Sequence, residues 1–200
     1  MTKIKISPIS IIWLLALIYY KTELFLQMII AVIIHELGHL ISARVLKIPI
    51  KSFTLMPLGA RMESAREISY TEEMIFSFSG PALGFLAGAI SLALSKAFGN
   101  EPSLFSLALI SFALSIFNLI PIGSLDGGRV LKCALFLLFK PSKASLLIRL
   151  VSFVCLFCIW LFSAYTLLKI SSGLSMLVFC SVFFIKCFIF DTKNKDFESF

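Results

Sequence analysis

Charged side chains are scarce in this sequence: Asp, Glu, Lys and Arg together make up 14% of its 200 residues. Soluble domains carry about 25%. Apolar residues fill the difference, reaching 59% with a mean hydropathy of +1.00, and a water-soluble chain of this length has too little interior to hide them. The ten glycines follow no short period, which excludes a collagen-like fibre, and the wealth of Leu, Ile and Phe excludes intrinsic disorder. Cysteine is limited to Cys133, Cys155, Cys158, Cys180 and Cys187, an odd count lying inside apolar runs. These read as packed thiols and exclude a disulfide scaffold. An all-α polytopic membrane protein is what these absences leave.

Six runs approach the roughly 20 apolar residues that a bilayer crossing needs: residues 6–20, 24–46, 74–95, 103–122, 146–168 and 174–190. The first covers only about 22 Å of a ~30 Å hydrocarbon core, with Lys3 and Lys5 placed to snorkel. No small-x-small cleavage site follows it, so it reads as an uncleaved segment and not a signal peptide. Counted with the nearest loop, fifteen of the 18 Lys and Arg residues fall at the two termini and in the loops after the second and fourth spans. The positive-inside rule then places both termini and those loops in the cytoplasm. Membrane orientation thereby accounts for the net charge of +7, and no nucleic-acid partner is expected.

The longest polar stretch runs over residues 47–73, which leaves one domain over 1–200 with no PDZ or CBS domain. Within it, residues 50–62 alternate polar and apolar around Pro57 and Gly59, a pattern that predicts a short membrane-associated β-hairpin after the second span. Residues 130–139 are too short to span and predict an interfacial helix following Gly127-Gly128.

The second span contains His35-Glu36-Leu37-Gly38-His39. Four-residue spacing on a helix puts both imidazoles on one face, one turn apart, where they can share a metal ion, and in zinc peptidases of this pattern the glutamate is the general base. Polar groups at membrane depth are costly and normally face an interior with a functional task. These are the chain's only histidines, and of its eleven acids only Glu36 and Asp126 lie in or against strongly apolar surroundings. Catalytic zinc takes three protein ligands and keeps one open position, which makes Asp126 the candidate third ligand of one Zn2+ per chain; a helix-capping or turn role is its alternative. Asp126 follows Asn118-Leu119-Ile120-Pro121, where proline and glycine are expected to end the fourth span. The expected topology brings the ends of the second and fourth spans to the same side, with His39 about 10 Å from the cytoplasmic edge. Asn118 either orients a substrate near the metal or bridges helices at the break. In the third span Gly80, Gly84 and Gly88 recur every four residues after Ser79, forming a smooth face for close helix approach.

His35-Glu36-Leu37-Gly38-His39, then Ser79-Gly80-Pro81, then Asn118 to Pro121 with Leu125-Asp126-Gly127-Gly128, in this order, resembles the site-2 protease family of intramembrane zinc metalloproteases. The resemblance implies that His35, His39 and Asp126 bind zinc, that Glu36 is the general base and that Asn118 lies at the active centre. Within the family, the six-span layout and Met56-Pro57-Leu58-Gly59 look like the sporulation branch that processes pro-sigma-K. That likeness implies a multi-pass protein of the bacterial cytoplasmic membrane or the membrane around the forespore. It also implies a membrane-associated client such as a pro-sigma factor, with membrane inhibitor or activator proteins as further partners. Serine and aspartyl intramembrane proteases fail on inventory, lacking a histidine outside the motif or a second intramembrane aspartate. The rival reading is a catalytically silent metal-binding membrane protein or a transporter, although transporters more often show two related halves.

Overall fold

A backbone in lipid has no water to bond, so spanning segments satisfy their own polar groups as helices. The computed structural model describes residues 3–6, 23–56, 59–123, 125–170 and 181 and is mostly helical. In chain order its elements are β1 (Lys3–Ile6), α1 (Glu23–Val45), β2 (Ile50–Met56), β3 (Gly59–Ser64), α2 (Tyr70–Ala97), α3 (Pro102–Asn118), α4 (Asp126–Leu138) and α5 (Pro141–Ile170). Among the described residues three helical stretches are long and apolar enough to cross a membrane: Leu24–Val45, Tyr70–Ala97 and Pro141–Lys169. They correspond to the second, third and fifth expected spans. Apart from Ile6 and Ser181, the first and sixth expected spans lie outside the described residues.

Two expectations are corrected at element ends. Ile6, expected to open the first span, closes β1 and pairs with Leu55; Lys-Ile-Lys-Ile alternates with the period of a strand, which a hydropathy count ignores. The fourth expected span reached Ile122, but α3 stops at Asn118. Pro121 has no N–H to donate and steers Ile120 away from helical geometry, and the helical pattern closes with the Leu119 N–H on the Ser115 and Ile116 carbonyls.

The chain forms two compact units, Met1–Leu119 and Ile120–Phe200. In the first, α1, α2 and α3 pack on one another through small residues. A Cβ at Gly38 would overlap the Ser79 carbonyl, one at Gly84 the Ser115 hydroxyl, and one at Gly88 would come within 2.7 Å of the Phe112 ring. Because the obstacle at Gly38 is backbone, Gly38→Ala forces α1 and α2 apart. A loss of about 1–3 kcal/mol is expected from such overpacking, read as a lower melting temperature in detergent; an unchanged melting temperature would show that the helices are not in tight register there.

Local signals fix the ends of these helices. Lys47, at φ 54°, takes the left-handed position that closes α1, and the Ile48 N–H returns to the Ala43 carbonyl at 2.8 Å. Ser69 and Glu72 form a reciprocal capping box at the start of α2, and Arg66 grips Glu72 at 2.6 Å. Between these points the chain makes a three-stranded sheet, β1-β2-β3, with β1 parallel and β3 antiparallel to β2. Ala43, Ile48 and Phe76 form a small buried core against which Ile50 and Met62 of the sheet are packed.

In the second unit α4 packs on α5. The Ser152 hydroxyl bridges the Pro121 carbonyl at 3.3 Å and the Gly123 N–H at 3.2 Å, tying the turn before α4 to α5. Gly127 and Gly128, expected to precede the short helix and loosen the backbone, lie inside its buried first turn. A Cβ at Gly128 would overlap the Ile122 carbonyl, so these glycines permit tight packing of the turn. The long α5 exposes Leu146, Leu150, Val154, Phe162 and Leu168, an apolar surface suited to lipid.

Candidate metal centre

Gln27, Ala31, His35 and His39 recur every four residues along α1 and are all buried, so one face of an otherwise apolar helix carries polar groups inward. The His35 and His39 rings meet edge to face, with Nε2 of one 3.3 Å from Nε2 of the other. Two nitrogens bound tetrahedrally to one zinc at ~2.0–2.1 Å stand about 3.3–3.4 Å apart, so this separation fits a shared ion.

The His39 Nδ1 lies 2.8 Å from the Phe76 carbonyl. A carbonyl only accepts, so Nδ1 carries the hydrogen and donates, and in the neutral ring Nε2 keeps its lone pair directed at the ion position. This is the outer contact that metal-binding histidines usually make. Beneath the ring lies Gly80, where a Cβ would overlap Nε2 and Cε1 of His39. The Phe76 ring sits beside it at 5.1 Å between centroids. Glu36, next in sequence to His35, is buried with 9% exposure.

Asn118 is the last residue of α3 and buried; its amide donates to the Leu114 carbonyl one turn earlier at 3.0 Å. One of its hydrogens therefore secures the end of its own helix. Asp126 is the first residue of α4, where a carboxylate complements the helix dipole. His35 and His39 belong to the first unit and Asp126 to the second, and by residue type each offers one ligand atom to a metal ion. Two imidazoles and one carboxylate with an open position match the donor chemistry of catalytic zinc.

The model of peptidase family M50 matches residues 23–101 and 93–161, which together contain all five of these residues. The chain belongs to peptidase family M50. A zinc metalloprotease of Methanocaldococcus jannaschii is 33% identical over 116 residues, covering 56% of this chain and 34% of the relative. A Synechocystis protein, provisionally named a zinc metalloprotease, is 34% identical over 126 residues, covering 60% of this chain and 32% of the relative. The chain thus spans about a third of the length of these curated relatives. The solved site-2 protease from Methanocaldococcus jannaschii matches with a TM-score of 0.63 over 91% of this chain and 87% of that chain at 24% identity, a likeness of fold. Family and apolar helices together make this M50 member a membrane protein.

Sequence reasoning missed what holds His39. The Phe76 carbonyl is invisible in a residue pattern, since any residue carries one. Ser79, one before Gly80, was legible only as the residue that opens the packing glycines of the third span, and nothing in the sequence singled out Ser42, three residues beyond His39.

Proposed function

We propose that this M50 member is an intramembrane zinc endopeptidase of the site-2 protease type, one catalytic domain that cuts a membrane-associated protein near the cytoplasmic side. The observation that carries this reading is the 3.3 Å pairing of two buried histidine nitrogens beside a buried glutamate. His35, His39 and Asp126 are the proposed ligands of one zinc ion. Zinc bound there supplies Lewis acidity, polarising a carbonyl and acidifying water. Glu36 takes the proton from the attacking water and returns it to the leaving amine. Asn118 steadies the substrate with the amide capacity that its own helix leaves over.

A helical client hides its peptide bonds, so the scissile segment has to enter extended. The β1-β2-β3 sheet supports a route for this: β3 lies at a sheet edge, and a client strand pairing beside the 50–64 region is held by its backbone. The basic loops support an orientation with both termini cytoplasmic and six spans in all. The finer reading is a client resembling pro-sigma-K, handled during sporulation with inhibitor or activator proteins as further partners. It is supported by the Met56-Pro57-Leu58-Gly59 stretch and the six-span pattern.

Co-expression with a panel of membrane-associated pro-sigma and anti-sigma factors tests the client. A chelator-sensitive size shift of the pro-sigma-K substrate alone is expected. Cleavage of a different client keeps the protease and discards the sporulation branch; zinc binding without cleavage of any client would favour a catalytically silent protein.

A further inference from the structure

His39 is flanked at two points by one circuit of polar contacts. Its ring Nδ1 donates to the Phe76 carbonyl at 2.8 Å, and the Ser79 hydroxyl lies 2.6 Å from that same oxygen. Ser79 Oγ is also 2.9 Å from Ser42 Oγ, which is 2.9 Å from the carbonyl of His39 itself. The circuit leaves the imidazole, crosses to α2, returns to α1 and ends on the backbone of the residue where it began. Each hydroxyl has a single hydrogen, so two of the three hydroxyl contacts can be made at once, and every such arrangement draws Ser79 or Ser42 onto an oxygen flanking His39.

Nothing in helix packing requires this circuit. Ser77, two residues from Ser79 on α2, is fully buried and its hydroxyl has no hydrogen-bond partner. A serine can thus be buried in α2 with no partner for its hydroxyl, whereas the hydroxyls at 42 and 79 are both engaged in contacts that lead to His39.

We propose that Ser79 and Ser42 are positioning residues that hold the His39 imidazole, through the Phe76 carbonyl, with hydrogen on Nδ1 and Nε2 directed at the metal position. The proposal rests on the reading of His39 as a zinc ligand. It assigns to Ser79 a task distinct from the packing role of Gly80: Gly80 makes room for the ring, and Ser79 with Ser42 decides how the ring points. Both serines act before any substrate arrives, by removing the alternative ring orientations that a buried imidazole could adopt.

The test uses the full chain in detergent, with Zn2+ affinity measured by competition with a fluorescent chelator. Ser79→Ala is expected to weaken zinc about 10-fold or more, in the range that outer-contact losses produce, whereas Ser79→Thr, which keeps the hydroxyl, stays near wild type. Ser77→Ala leaves affinity unchanged. A second readout needs no metal: the chain has two histidines, so 15N-histidine labelling gives two imidazole signal sets, one of them with hydrogen on Nδ1 in the wild type and mixed in Ser79→Ala. Wild-type affinity and an unchanged spectrum in Ser79→Ala overturn the proposal, as does an equal zinc loss in Ser77→Ala. Should Ser79→Ala not fold, Ser42→Ala opens the circuit from α1, and unchanged zinc affinity there overturns it too. Absence of zinc binding in the wild type instead sinks the ligand assignment, and the metal-free spectrum then decides the clamp alone.

Discussion

Glu36→Gln is expected to lower peptide cleavage by roughly 10²–10⁴-fold, the usual contribution of a positioned proton-transfer group, while zinc stays bound. The substitution keeps size and hydrogen-bonding shape and removes only the basic carboxylate. Glu36 stands immediately after His35 on α1 and is buried, so an amide fits where the carboxylate was. The proposed zinc ligands are other residues, and a variant that keeps stoichiometric zinc but loses cleavage separates proton transfer from metal holding. Cleavage within about tenfold of wild type would remove Glu36 from the mechanism. Loss of zinc would instead make it a ligand or a structural support of the ligands.

The second large effect is expected at Gly80→Ala: zinc affinity falls about 10–100-fold, the scale on which disturbed outer contacts weaken metal sites, with helical content by circular dichroism unchanged. The added methyl would occupy the volume of the His39 ring nitrogen that faces His35. The ring can escape only by giving up its 2.8 Å bond to the Phe76 carbonyl, and it then no longer presents Nε2 beside His35. Gly84→Ala provides the comparison, because there the methyl meets the Ser115 side chain, away from the histidines. It should cost stability without a matching loss of zinc. Equal zinc affinity in Gly80→Ala and wild type would mean that the ring tolerates displacement, and that the narrow approach of α1 and α2 does not serve the metal position.

The difference between these two variants marks what could be read without a structure. Glu36 is identifiable from five consecutive residues, because the helical repeat alone places His35 and His39 on one face. Gly80 was legible as a packing glycine, and the helices do approach closely there, but that its missing side chain makes room for His39 depends on which residue of α1 stands opposite. Hydropathy located α1, α2 and α5 well since lipid demands long apolar helices. It failed at Ile6 and at residues 119–122, where a strand period and a proline overrule apolar content.

The sequence by itself determined the membrane class, the candidate ligand residues His35, His39 and Asp126, the proposed base Glu36, and the small-residue face of α2, all of which are written in residue type and short spacing. Tertiary structure alone decided that β1 joins β2 and that Phe76 and Ser79, each 37 residues or more from the α1 residue it contacts, govern His39. The physical reason is that a histidine's identity is local, but the nitrogen that carries its hydrogen is chosen by the acceptor placed against it, and here that acceptor is a backbone oxygen of another helix.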